Sequence, residues 1–150
     1  MKLKDTTLAD RQLRLRVPAD WTEIQEADGG VAFHDEKHDQ GTLRVKVMTF
    51  TTEDDLGGLS ALEELRAIEA EPGQTLEGLP SGNALRFHQE NAEAGGSQAA
   101  ILVWLLASID PPHRMRLAVF SLTARAPVDP AVTKALEAEI RNAAFAHQMS

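Results

Sequence analysis

The sequence predicts an α+β protein in which an antiparallel β-sheet of about six to seven strands, ending in a three-strand meander, packs with two main helices. Three observations predict this fold. Apolar and polar residues alternate over several short stretches, as they do in half-buried strands. Glycine and proline turn sequences separate these stretches at hairpin spacing. Two further stretches combine helical spacing of apolar residues with capping residues at their start.

Short strands are expected in the first half of the chain. They begin at Leu13, Trp21, Val31 and Leu43. The clearest alternation begins at Leu43, where Leu43, Val45 and Val47 alternate with Arg44 and Lys46. Asp28-Gly29-Gly30 supplies the tight turn that leads into the strand at Val31.

Two helices are expected. The first spans residues 60–71, where Ser60 and Glu63 form a capping box and Pro72-Gly73 ends the helix. Its outward face is acidic. The second helix closes the chain and begins with Asp129 as N-cap and Pro130 at the first helical position.

The turns of the meander predict its register. If Gly95-Gly96 is a two-residue turn, Leu85 faces Leu106 and Phe87 faces Trp104. If residues 110–113 form a four-residue loop, Val119 also faces Trp104. Together these interpretations predict one core face, made of Leu85, Phe87, Leu102, Trp104, Leu106, Leu117 and Val119.

The opposite face of the predicted sheet is basic and partly apolar. Alternation places positive side chains there beside Ile101, Val103 and Phe120. The candidate partner-binding residues are Arg44, Lys46, Arg86, His88, Arg114 and Arg116. This face either binds a partner with an acidic surface or is covered by the acidic helix of residues 60–71, whose carboxylates then pair with the arginines.

The amino-acid composition excludes several classes of function. A chain of 150 residues with 43% apolar residues is expected to form a single globular domain, residues 1–150. The net charge of −8 disfavours nucleic-acid binding, and we expect no membrane insertion and no export segment, hence a cytoplasmic protein. The absence of cysteine excludes disulfides and thiolate chemistry.

No catalytic residue, metal site or cofactor is predicted. His34 and His38 are four residues apart with carboxylates such as Asp39 between and after them, but the flanking glycines indicate a solvated hairpin loop that needs no metal. Ser60 is better explained as a helix cap than as a nucleophile. Asp110 and His113 lie in a Pro-Pro turn, where they shape the hairpin.

The layout resembles the PsbP-like fold, which is shared by the photosystem II P subunit, the Ran-binding Mog proteins and bacterial DcrB-type proteins. The resemblance rests on a Val17-Pro18-x-x-Trp21 turn near the start, a Gly-Gly hairpin, one middle helix, a three-strand meander and a closing helix. It implies a non-enzymatic protein that binds partners, as photosystem assembly factors, a Ran-binding regulator and chaperones for type VI secretion effectors do. It transfers no functional residue to this chain.

The sequence therefore predicts a non-enzymatic adaptor or chaperone-like protein that presents its basic, partly apolar sheet face to another protein. The alternative is a small-molecule-binding protein or an enzyme with a pocket between sheet and helix. A deep pocket that contains His88 beside a carboxylate would favour the alternative, and a flat patch of arginine and apolar residues would favour the adaptor.

Overall fold

The computed structural model describes residues 2–38, 41–68 and 74–149. Within these ranges the chain forms ten strands, two α-helices and one 3-10 helix, Ala146–Gln148. The strands are β1 (Leu3–Leu8), β2 (Leu13–Pro18), β3 (Thr22–Gln25), β4 (Val31–His34), β5 (Thr42–Thr51), β6 (Thr75–Gly78), β7 (Ala84–Ala94), β8 (Ser97–Asp110), β9 (Arg114–Arg125) and β10 (Ala144–Phe145). The helices are α1 (Ala61–Ala67) and α2 (Pro130–Arg141).

The strands form two sheets, and every pairing is antiparallel. The large sheet has seven strands in the order β3-β4-β5-β9-β8-β7-β6, and the small sheet has the order β1-β2-β10. The α+β prediction is confirmed. The sequence reasoning missed β1, β6 and β10, and with them the division into two sheets.

Both helices begin where the capping signals predict. The Ser60 hydroxyl accepts a hydrogen bond from the Glu63 amide at 3.1 Å, and the Asp129 carboxylate accepts one from the Ala131 amide at 2.9 Å. The described part of α1 ends at Ala67, with Ile68 as its C-cap. The predicted stop at Pro72-Gly73 lies outside the described residues.

The Gly95-Gly96 turn gives the predicted register. Leu85 pairs with Leu106 and Phe87 with Trp104 across β7 and β8, and both glycines have positive φ, as a two-residue hairpin turn of this kind requires. Trp104 is fully buried and its ring centroid is 5.1 Å from that of Phe87. The predicted burial of Trp104 is confirmed.

The second turn is one residue shorter than predicted. Asp110 pairs with Arg114, so the loop is residues 111–113 and Trp104 faces Phe120 instead of Val119. A shift of one residue moves every side chain of a strand to the other face. Leu117 and Val119 therefore leave the predicted core face, and their places are taken by Ala118, Phe120 and Leu122.

The main hydrophobic core lies between the two sheets and α2. We call the side of the large sheet that faces this core the core face. The small sheet contributes Leu13 and Leu15, which are at most 2% exposed, and α2 contributes Leu136 and Ile140. Arg16 of β2 also donates two hydrogen bonds to the Glu139 carboxylate of α2, at 2.6 and 3.0 Å. Neither helix of the described residues is long and apolar enough to cross a membrane.

Candidate functional site

The face of the large sheet that points away from the main core, here called the second face, is built by alternate residues of its long strands. Strand pairing brings Lys46 opposite Val119, Leu105 opposite both Val119 and Arg86, and Val103 opposite His88. Alternate residues along these strands share the face. The second face therefore combines basic and apolar side chains, as the sequence predicts.

The predicted partner-binding residues do not all share this face. Arg44, Lys46, Arg86 and His88 lie on it. Arg114 and Arg116 do not, because the shorter turn shifts β9 by one residue and directs them toward the core face. The prediction of one cluster of six residues is wrong for these two. In addition, Arg86 is only 6% exposed and cannot contact a partner directly.

Helix α1 covers one end of the second face. Ala61 and Leu65 form a second hydrophobic cluster with Ala107 and Leu117, two residues that point away from the main core. Arg86 lies beside this helix and donates a hydrogen bond from Nη1 to the backbone carbonyl of Ile68, the C-cap of α1, at 3.2 Å. A cation at the last carbonyls stabilises a helix end. The expectation that this helix covers the face thus holds for the end near Arg86.

The rest of the second face is not covered by any described residue. Ile101, Val103 and Val119 are half-buried by neighbouring strands, yet they belong to neither hydrophobic cluster. Positive side chains flank them. We call this region the open patch; it consists of Arg44, Lys46, His88, Ile101, Val103 and Val119. A sheet face that is apolar in its central strands is usually covered.

Arg44 and Lys46 of the open patch pair with two carboxylates of the turn between β3 and β4, the partly exposed Glu26 and the exposed Asp28. Arg44 lies 3.5 Å from Glu26, and Lys46 lies 3.6 Å from Asp28. The Gly30 amide, which donates to Asp28 at 3.0 Å, and the nearby Lys46 lower the pKa of the Asp28 carboxyl below its ordinary value. Arg44 and Lys46 keep 54% and 51% of their side chains exposed, so both ion pairs are accessible to a competing carboxylate.

Sequence reasoning missed one basic residue of this face. Arg125, at the end of β9, is exposed and pairs with Ala99. Alternation places it on the same side as Val119. The alternating pattern of β9 could have predicted this position, because extending the predicted strand beyond Thr123 in the correct register places Arg125 on the second face.

A polar cluster on the core face contains a serine and a histidine, the residue types of a nucleophile and its general base. The His147 Nε2 atom is 3.0 Å from the Ser108 hydroxyl, and its Nδ1 atom is 2.9 Å from Nη1 of Arg116. A guanidinium only donates, so Nδ1 accepts and the proton of the neutral ring resides on Nε2. The imidazole then donates to Ser108 and cannot take its proton. This geometry does not activate Ser108.

The His34–His38 loop is organised by hydrogen bonds within the protein. His34 contacts the Thr42 hydroxyl through Nδ1 at 2.8 Å, and the Asp35 carboxylate accepts the amides of Lys37 and His38. Asp39 lies outside the described residues. In the part of the chain that the structure describes, no group of three or more His, Asp or Glu side chains is arranged to hold a metal ion.

A cavity of about 550 Å³ lies beside this loop, within the usual size range of small-molecule sites. Its lining includes Trp21, Asp35, His38 and Val132. Trp21 is only 4% exposed, and the Asp35 carboxylate already accepts two backbone amides of its own loop. His88, which the pocket alternative requires, does not line this cavity and instead lies 3.3 Å from Glu90 on the second face.

Comparison with known proteins finds likeness of fold. No protein-family model and no curated protein matches the chain. A crystal structure of a Bacteroides thetaiotaomicron protein has 14% identity and a TM-score of 0.64; it matches 97% of this chain, which spans only 49% of that protein. LpqN, described as involved in cell envelope biogenesis of Mycobacterium tuberculosis, has 14% identity and a TM-score of 0.51 over 93% of this chain and 85% of LpqN.

Cyanobacterial PsbP from Synechocystis sp. PCC 6803 also matches, with 13% identity and a TM-score of 0.47 over 95% of this chain and 92% of that protein. The predicted resemblance to the PsbP-like fold is confirmed as a likeness of layout. The two matches with TM-scores of 0.64 and 0.51, both at 14% identity, show a shared fold and assign no function.

Proposed function

We propose that this protein is a non-enzymatic adaptor that binds another protein through the open patch. The observation that carries the proposal is the position of Ile101, Val103 and Val119. These residues form an apolar strip on two central strands, beyond the end of α1, where no described residue covers them. Burial of apolar surface stabilises a protein or complex by about 25 cal/mol per Å², and this free energy is not gained while the strip is in water. A partner that covers it recovers this free energy.

The flanking charges favour a partner with an acidic surface. Arg44 and Lys46 border the apolar strip, and Arg125 lies further along the same face. Their present carboxylate neighbours are partly exposed (Glu26, 33%) or exposed (Asp28, 61%), and ion pairs at the surface stabilise a fold by about 0–1 kcal/mol. Carboxylates of a partner can therefore replace Glu26 and Asp28 at little cost. Arginine beside apolar residues is also the usual composition of protein interfaces.

No activated nucleophile is present among the described residues, and this supports a binding role over catalysis. The Ser108 and His147 pair has the wrong proton arrangement, and the chain has neither cysteine nor tyrosine to act instead. The proposal includes the cytoplasmic location expected from the sequence, which cell fractionation checks. The net charge of −8 favours a protein over a nucleic acid as the partner.

The proposal is tested by affinity capture from the native cell with Arg44→Glu combined with Lys46→Glu. Both side chains are about half exposed, so the free energy of unfolding should change by no more than about 1 kcal/mol per residue. The captured partner should be lost. Val103→Thr combined with Val119→Thr, which preserves shape and strand propensity, should also reduce capture.

Arg14→Glu is the matched control. Arg14 is a strand arginine with 57% of its side chain exposed and a carboxylate, Asp5, at 3.6 Å, but it lies on the small sheet. Capture should survive this substitution. Partners that are retained equally by all variants, or lost equally with Arg14→Glu, would contradict the proposal.

A further inference from the structure

A separate apolar groove lies where the loop before α1 meets the ends of β5 and β9. Its cavity has a volume of about 350 Å³. The apolar lining consists of Phe50, Leu56, Leu59 and Met115, and the polar lining includes Asp54 and Glu64. None of these residues belongs to the open patch. The groove is therefore a site separate from the open patch.

The groove exposes large apolar side chains. Phe50 is 46% exposed and Leu59 is 42% exposed, and they are two of the four large apolar residues that are exposed in the described ranges. Both lie on one groove, whereas the other two, Ile24 and Ile68, lie elsewhere. A contiguous apolar site rimmed by polar residues is typical of an interaction surface.

The backbone around the groove is held in place before any partner binds. The Thr52 amide donates to the His113 carbonyl at 2.9 Å, and the Leu56 amide donates to the Pro112 carbonyl at 2.6 Å. The Leu59 amide then donates to the Leu56 carbonyl at 3.0 Å. These bonds tie the loop to the turn between β8 and β9. A groove fixed in this way lowers the entropy lost on binding.

The rim of the groove is acidic. Asp54 and Glu64 line it, and the neighbouring Glu53, Asp55 and Glu63 are all exposed. Over the described ranges, none of these five carboxylates takes part in an ion pair, although Arg44, Lys46, Arg114 and Arg141 each have a carboxylate partner. Negative charge without an ion-pair partner among the described residues therefore lies at the rim of the apolar groove.

We propose that this groove binds a segment of another protein in which a large apolar side chain is flanked by lysine or arginine. The apolar side chain enters between Phe50, Leu59 and Met115, where it removes their exposed surface from water. The flanking cations then pair with Asp54 and Glu64 at the rim. Charge complementarity distinguishes this partner from the acidic one proposed for the open patch.

A random twelve-residue peptide library displayed on phage, panned against the purified protein, tests the inference. The enriched sequences should share a large apolar residue next to lysine or arginine. A synthetic peptide of the enriched sequence should shift the amide signals of residues around Phe50 and Leu59 in a ¹⁵N spectrum, and its affinity should fall as salt is added. Enrichment of acidic sequences, no enrichment at all, or shifts confined to other regions would overturn the inference.

Variants with matched controls locate the site. Phe50→Ser should weaken peptide binding at least about tenfold, as truncation of an interface anchor does, whereas Ile24→Ser should leave it unchanged although Ile24 is 48% exposed. Asp54→Asn with Glu64→Gln should also weaken binding, while Glu36→Gln with Glu93→Gln should not. Arg44→Glu with Lys46→Glu should preserve peptide binding, so failure of this inference is separable from failure of the adaptor proposal. Equal binding by Phe50→Ser and Ile24→Ser would overturn the groove assignment.

Discussion

Trp104 occupies the centre of the main core. Its side chain is fully buried, packs on Phe87, and faces Phe120 across β9. Among the described residues its indole Nε1 atom has no hydrogen-bond partner, so packing alone holds the ring. Large aromatic side chains contribute strongly to the stability of protein cores.

We expect Trp104→Ala to lower the free energy of unfolding by about 3–5 kcal/mol, because it removes the largest fully buried side chain and leaves a cavity. Denaturant unfolding measures the loss. In a Trp21→Phe background the emission of Trp104 should be that of a buried indole and should shift to longer wavelength on unfolding. A native emission maximum typical of water-exposed tryptophan would contradict the register of β7 and β8.

His147 links the last residues of the described chain to the core face. Although much of the residue is exposed, its two ring nitrogens face Ser108 and Arg116, which are 2% and 7% exposed. Burial of the ring, opposed by Asp110 and reinforced by the Arg116 charge, lowers the pKa of His147 below its ordinary value. The folded protein therefore favours the neutral imidazole.

This lowered pKa predicts that stability falls on mild acidification. Between the folded pKa and the unfolded value of about 6.5, the unfolded chain binds more protons, so the free energy of unfolding rises with pH. The contribution is fully present above about pH 6.5 and is lost as the pH falls through the folded pKa. His147→Gln should flatten this part of the profile in melts from pH 7.5 to pH 5. Parallel profiles for the two proteins would contradict the assignment.

At the scale of elements, α1 is attached to the sheet by a small apolar cluster and by Arg86. The helix buries Ala61 and Leu65, and its C-cap carbonyl accepts from Arg86. Sequence alternation places Arg86 and Arg116 on one face with Arg44. In the structure, Arg86 and Arg116 are both buried and lie on opposite faces of the large sheet. Substitutions of Arg86 and Arg116 therefore test the stability of the fold. Partner binding at the open patch is tested by substitutions at other residues.

Arg86→Glu should destabilise the fold measurably, because it places a buried carboxylate against the carbonyl end of α1. Arg44→Glu, on the same face, should leave the melting temperature nearly unchanged because that side chain is half exposed. Thermal melts of the two variants make the comparison. Equal stability of both variants would show that α1 does not cover Arg86.

The loop of residues 34–38 is expected to fold without a metal. The Asp35 carboxylate caps two amides, and His34 is engaged with Thr42, so internal bonds already fix its backbone. Thermal melts with zinc, nickel, calcium or a chelator should coincide. A stabilisation of several degrees by micromolar metal, abolished by His38→Ala, would contradict this expectation.

The two turns of the meander show how far sequence reasoning extends. Gly95-Gly96 determines its register because two adjacent glycines with positive φ define a two-residue hairpin. The sequence of the turn after Asp110 does not determine the register of that hairpin. Asp110 itself pairs with Arg114, and its carboxylate binds Arg116 at 3.0 Å. From the sequence alone, a polar residue at the end of a strand does not show whether it belongs to the strand or to the loop. That one residue decides which face Arg114 and Arg116 occupy, and therefore the composition of the candidate site.

The whole molecule is asymmetric about its large sheet. One face is covered by the small sheet and α2, and among the described residues the second face is covered only where α1 packs. No local signal in the sequence predicts this division, because the extent of cover depends on where α1 lies after folding. The acidic groove beside α1 and the basic open patch occupy different regions of the molecule. The arrangement suits an adaptor that contacts two surfaces of different charge.

The central claim, that a partner covers the open patch, is tested most directly by cysteine labelling, since the chain contains no native cysteine. Thr123→Cys lies on the second face beside the patch, and Thr7→Cys lies on β1 as a control; both positions are exposed. In the purified protein, maleimide should label both at similar rates. In the native cell lysate, labelling of Thr123→Cys should slow several-fold while Thr7→Cys is unaffected. Equal labelling of Thr123→Cys in lysate and in isolation would contradict the claim.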